Sequence, residues 1–417
     1  MHQRTWLSLI SLPLVGLYSW PVVVQNLGGP RAAVNAPRQE GKATQDPLAG
    51  LADIQDVLGI VRDNYVDRPD MERVVSGGIK ATLERAHSLN AYLTPEDLRL
   101  PDPGPAGLGM KVVKRGIYAQ VLAVRPGSPA AEGGILPGDF IRKIDGDSVG
   151  DMSAWTLERR LRGPEGSEVT LLRHAGANGN LSKSTLHRVS LARPAIEVRR
   201  EEKATLVTLP DLGPGRAEEL KALLKDLDHA KPLVLDLRVC MGGDLPEAAK
   251  AAGCFSAAAA PLVTVQEAAP KEGELKDVPV PVVPSGLPVF PRAAVLLGNG
   301  TFGAPEALAS SLKKMGFAVY GERSSGLGVE RARINLRQGG AVELVVRRWL
   351  GAGGEKLDRA GVEPTTAVKG LKPSEDPLPK LLPLLEAKPA EKPAEKAATK
   401  AAVLFPGLRP LAGSEVA

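Results

Sequence analysis

Nucleophilic catalysis takes a nucleophile, a base within hydrogen-bond reach of it, and donors for a developing oxyanion. The hydroxyls worth weighing in this chain lie mainly in one stretch, positions 293–328, which reads AAVLLGNGTFGAPEALASSLKKMGFAVYGERSSGLG. Thr301 stands in a Gly-rich turn after an apolar strand. Ser310 and Ser311 fall a helical turn inside the helix that follows, and Lys313 and Lys314 stand near its far end. Ser324 and Ser325 precede a Gly-x-Gly loop, Gly326-Leu327-Gly328. No serine has a lysine or histidine at a spacing that makes a nucleophile–base pair. Cys240 is the one thiol placed to replace a hydroxyl, but a buried thiol is inert unless its pKa is lowered. It and Cys254 bracket a predicted helix, whose rise of about 1.5 Å per residue holds them too far apart to bridge. His2, His87, His174, His187 and His229 are scattered, no metal-ligand cluster appears, and no cofactor is expected.

The elements that carry these residues alternate in type. Strands are expected at 204–209, 233–237, 293–297 and 318–320, with helices at 216–228, from about 246, and at 305–314. That order argues an α/β core with a mostly parallel sheet and crossover helices. Sites in such sheets lie at the carboxyl ends of the strands. Gly242-Gly243, the turn from Gly300 to Gly303, and the loop from Gly326 to Gly328 all follow strands and are expected to converge there. Backbone N–H groups at Gly242 and Gly243 are candidate oxyanion-type donors. Pro305 suits the first turn of its helix. Upstream, Leu51, Ile54, Leu58, Val61 and Tyr65 recur at helical spacing, and a second helix is expected over Met71–Ala86. Between these halves the turn Gly107-Leu108-Gly109-Met110 precedes a strand. It would aim backbone N–H groups at a carboxylate, and the strand's edge would accept an extended peptide.

The order of motifs resembles the C-terminal processing (tail-specific) serine peptidases. In that family the turn after the strand reads Ser-Ala-Ser-Ala-Ser-Glu, and the nucleophile stands three residues before the Glu. The later loop reads Gly-Lys-Gly, with the lysine as general base. Matching on Glu306 and on Gly326-Leu327-Gly328 puts Gly303 at the nucleophile position and Leu327 at the base position. A third family position, a glutamine four residues after the lysine, is Arg331. Residues 51–98 resemble the family's N-terminal helical region, including Asn64-Tyr65-Val66-Asp67 and Tyr92-Leu93-Thr94-Pro95-Glu96. Residues 103–198 resemble its PDZ domain. LVLDLRVCMGG at 233–243 resembles its Asp-Leu-Arg-x-Asn-x-Gly-Gly segment with Cys240 for the asparagine, and 344–364 its closing block, with Arg348-Trp349 and Gly361-Val362-x-Pro364.

The resemblance implies a multidomain α/β chain: an N-terminal helical segment (47–100), a PDZ-like β-rich domain, and an α/β protease-like core (199–367). Peptide recognition at Gly107, Leu108, Gly109 and Met110 is expected, for C-terminal tails of other proteins. With glycine and leucine at the two key positions, the expected function is that of a catalytically silent binding or scaffolding protein, with an active relative as one expected partner. The competing expectation is a peptidase that uses Cys240 or Thr301.

Length and composition agree with this organisation. A chain of 417 residues predicts two or three domains, and 43% apolar content allows a sizeable core. The net charge of +5 is modest and interspersed, so no nucleic-acid partner is expected. At the N-terminus Arg4 precedes a mostly apolar run over 6–24, about long enough to span a bilayer. The best small-x-small cleavage site, Val34-Asn35-Ala36, is followed directly by Pro37. The expectation is an exported body on an uncleaved anchor within residues 1–46. Residues 368–417, with the Pro-broken charged run at 388–396, are expected to be a low-complexity tail.

Overall fold

A computed structural model describes residues 50–387 except 177–178, 272 and 374. The expected anchor, its cleavage site and the segment beyond 387 lie outside the described residues. Among the described residues no helix is long and apolar enough to cross a membrane. The described residues divide into two units, 50–66 and 67–387.

In the first unit, helix α1 (Gly50–Asn64) carries Asp53 in its first turn and Arg62 in its last, matching the helix dipole. It buries no residue, and Leu51, Ile54 and Ile60 are exposed. The second unit begins with α2 (Met71–Ala86), capped by the Asp70 carboxylate on the Arg73 N–H. Strand β1 (Ala91–Leu93) and helix α3 (Pro95–Arg99) follow, with Thr94 and Asp97 forming a reciprocal capping box.

The β-rich domain comprises β2 (Met110–Arg115), β3 (Tyr118–Val124), α4 (Pro129–Glu132), β4 (Phe140–Ile144), β5 (Asp147–Ser148), α5 (Ala154–Leu161), β6 (Glu168–His174) and β7 (Leu181–His187). Its sheet runs β2-β3-β4-β6-β7, antiparallel throughout, with β5 on β4. Strand β2 is therefore an edge. Val121, Ile141, Ile144 and Leu171 from the sheet pack against Leu157 of α5.

The core follows as β8 (Glu197–Arg200), β9 (Thr205–Thr208), α6 (Arg216–Lys225), β10 (Leu233–Asp236), α7 (Leu245–Gly253), β11 (Ala260–Ala268) and β12 (Leu275–Val282). Then come β13 (Ala293–Leu297), α8 (Ala304–Lys314), β14 (Ala318–Gly321), β15 (Val329–Asn335), β16 (Ala341–Gly351), β17 (Thr366–Ala367) and α9 (Leu378–Ala387). The central sheet runs β17-β14-β13-β10-β9-β8; all its pairs are parallel except β8 with β9. Side chains alternate between its faces, so Val207, Leu235, Val295 and Val319 meet the α6–α8 side. Leu206, Val234, Leu296 and Tyr320 pack instead with Leu378, Leu381 and Leu385 of α9.

Two features depart from the sequence reading. Residues 378–387 fall in the span expected as a tail, yet they form α9 and cover one face of the central sheet. A second, wholly antiparallel sheet, β1-β16-β11-β12 with β15 on β16, packs over α7 and α8 and makes the core's strand arrangement mixed. This layer explains why Ala304 to Leu312 of α8 are all buried: the helix has sheet on both sides.

Candidate functional site

Strand β13 is buried along its whole length and delivers the chain into the turn 298–303 before α8. Gly303, the N-cap of α8, has φ 68° and ψ −130°, a conformation that L side chains rarely adopt. A Cβ built there would meet no atom within 4 Å. A strained strand-to-helix turn facing open space is the setting in which hydrolases present a nucleophile. Here it presents backbone alone.

Glu306 joins this turn to the second loop. Its fully buried carboxylate accepts from the Gly303 N–H (2.8 Å) and the Leu327 N–H (2.9 Å) on one oxygen. The other oxygen accepts from the Gly326 N–H (2.7 Å) and the Ser324 hydroxyl (2.6 Å). Burial pushes the Glu306 carboxyl above its ordinary value, and these four donors pull against that rise. Positions 303 and 327 thus meet at a single oxygen atom. Only glycines fit around Leu327: a Cβ at Gly326 would lie 2.8 Å from the Arg359 carbonyl carbon, and one at Gly328 would lie 2.5 Å from Leu357 Cβ. Leu327 packs against the apolar cluster of Val113, Leu122, Ala123 and Phe302.

Gly242 and Gly243 close the third side. Gly242 has φ 79° and packs against the Phe302 ring, where a Cβ would come to 2.9 Å. Its carbonyl accepts from the Leu212 N–H (2.8 Å), while the N–H groups of both glycines donate to no protein acceptor among the described residues. The sequence-predicted convergence of the three glycine loops is therefore present, held by contacts that sequence reasoning did not identify, above all Glu306.

The possible substitute nucleophiles are committed elsewhere. Thr301 is fully buried and its hydroxyl donates to the Leu237 carbonyl at 2.8 Å. Burial pushes the Cys240 thiol well above its ordinary value, and the Asp211 and Asp236 carboxylates add to that shift. Ser310 donates to Glu355 and Ser311 to the Pro261 carbonyl, both away from Gly303. Arg331 pairs with Glu343 at 3.2 Å and with Glu158 of α5 at 3.3 Å. Both carboxylates are shared, Glu158 with Lys111 and Glu343 with Arg333.

In the β-rich domain the Gly107–Met110 turn is formed, with one correction. The Gly107 N–H donates to the Val189 carbonyl (3.1 Å), so it is not free for a ligand. The N–H groups of Leu108 and Gly109 donate to no protein acceptor among the described residues. Gly109 has φ 71°, and a Cβ there would lie 2.3 Å from Ser128 Cβ, so the turn tolerates only glycine. Beside it, the β2 edge faces α5, with the Lys111 ammonium 3.3 Å from Glu158 across the groove.

Residues 203–368 match peptidase family S41 and residues 120–172 match the PDZ domain. The chain carries a serine-type peptidase fold of that family joined to a PDZ domain. A probable CtpA-like serine protease of Staphylococcus aureus is 26% identical over 337 residues, 77% of this chain and 65% of the relative. This chain thus spans just under two thirds of that relative's length. A carboxy-terminal-processing protease of Bartonella bacilliformis is 27% identical over 355 residues, 81% of this chain and 77% of the relative. The solved photosystem II D1 C-terminal processing protease shares the fold, with a TM-score of 0.61 at 21% identity over 77% of this chain and 93% of its own.

Proposed function

We propose that this chain is an exported peptide-binding scaffold built on the processing-peptidase architecture, and that its cleft does not hydrolyse peptides. The observation that carries this reading is the pairing of Gly303 and Leu327 on one Glu306 oxygen. A Ser–Lys dyad needs a hydroxyl within reach of an amine whose pKa burial has lowered. At the two places where backbone geometry would hold such a dyad, the side chains are a hydrogen atom and an isobutyl group. Working through Thr301 or Cys240 instead would require breaking a buried hydrogen bond or ionising a buried thiol. The spare N–H groups at Gly242 and Gly243 then serve to bind a carbonyl or carboxylate.

The binding function rests on the Leu108–Gly109 N–H pair beside a free sheet edge, a setting for a peptide carboxylate and an added strand. The partners are C-terminal tails ending in an apolar residue, with an active relative of this chain as one source. Export on an N-terminal anchor rests on Arg4 and the apolar run at 6–24. Isothermal titration with paired peptides tests the binding role. A free-acid peptide should bind at least tenfold more tightly than its C-terminal amide, about 1.4 kcal/mol. Equal affinities would remove carboxylate recognition from the account.

A further inference from the structure

We infer that Leu327 anchors the PDZ domain onto the peptidase-like core, so that the peptide groove and the cleft move as one rigid receptor. Strands β2 and β3 carry two sets of apolar side chains. Val112, Val121 and Val124 point into the PDZ domain's own core. Val113, Leu122 and Ala123 do not. They are only 1–2% exposed, yet they belong to a separate cluster with Phe302, against which Leu89, Met241 and Leu327 pack. Phe302 directly precedes Gly303, and Met241 directly precedes Gly242. The seam is therefore made from the loops that form the cleft.

The backbones touch as well. A Cβ at Gly300 would lie 2.5 Å from the Leu122 carbonyl oxygen, so only glycine permits this approach. Polar contacts flank the apolar ones: Arg115 donates to the Ser325 carbonyl (3.4 Å), and Arg331 pairs with Glu158 on α5. Swinging the PDZ domain away would expose Val113, Leu122, Ala123 and Phe302 together, an apolar patch that docking removes from water. A lysine at 327 would set an ammonium against the apolar cluster of Val113, Leu122, Ala123 and Phe302 and would weaken the seam. Leucine at this position thus has a role of its own, whether or not the cleft hydrolyses anything.

Hydrogen exchange on the full chain tests the seam, since exchange reports local opening segment by segment. Leu327→Lys should speed exchange at least tenfold over residues 113–123 and over the loop 298–303, while β10 and β13 keep their protection. Val113→Asp, made from the PDZ side, should speed the same two stretches, including the core loop it does not belong to. Leu327→Met should leave both at the original rate. Unchanged exchange in the lysine and aspartate variants overturns the inference. Acceleration confined to each variant's own segment, or spread equally through β10 and β13, overturns it too.

Discussion

At Gly303 the backbone is held at φ 68° and ψ −130° while the space a side chain would fill stands open. A serine there would meet no steric wall but would adopt a strained conformation, costing of order 1–3 kcal/mol. Gly303→Ser should therefore lower the urea midpoint and leave peptide hydrolysis at background, because members of a dyad act as a unit. Adding Leu327→Lys supplies the missing amine but also disturbs the PDZ seam, so any gain in turnover should be slight. Arg331 pairs with Glu158 and Glu343, but Lys111 and Arg333 share those carboxylates, so its charge still opposes that lysine. The order of Gly303, Glu306 and Leu327 was legible in the sequence. The joint role of Glu306 was not, because it depends on burial and on a loop 18 to 21 residues further along the chain.

Strands β10 and β13 were legible as elements because LVL at 233–235 and AAVLL at 293–297 are continuous apolar runs, the mark of parallel strands buried on both faces. The antiparallel layer was not. Strand β12 contains Pro279 and Pro281, which suit only an edge, and β15 is too charged to stand out. Helix α9 was hidden by its Pro-rich surroundings and by Pro383 within it, although Leu378, Leu381 and Leu385 keep one face. Because Leu381 is fully buried against the central sheet, Leu381→Ala should cost about 2–5 kcal/mol in urea unfolding. A loss under about 0.5 kcal/mol, typical of a surface site, would contradict that packing. The start of α6 supplies a pH test. Burial pushes Asp211 up, but Arg216, Arg193 and the Gly213 N–H together hold it below its ordinary value. A lowered folded pKa gives stability that is present above the unfolded value, about 3.9, and lost as pH falls through the folded one. Melting temperature should thus fall on acidification below about pH 4, and Asp211→Asn should show a shallower fall over that window.

On the scale of the molecule, the domain order was readable because each motif marks one turn or strand and the motifs follow a single sequence. The way the PDZ domain and the core meet was not readable, because Val113 and Leu122 look like any other strand residues until their faces are known. The proposed peptide-receptor role draws on three features of the body: the β2 sheet edge, the Leu108 and Gly109 N–H groups, and a cleft with Gly303 and Leu327 at its centre. The most direct measurement is hydrolysis by the purified, unmodified chain, incubated with casein or a tail-tagged peptide and followed by mass spectrometry. No cleavage above a protein-free control is expected. Turnover that persists through purification and disappears in Cys240→Ala or Thr301→Ala would contradict it.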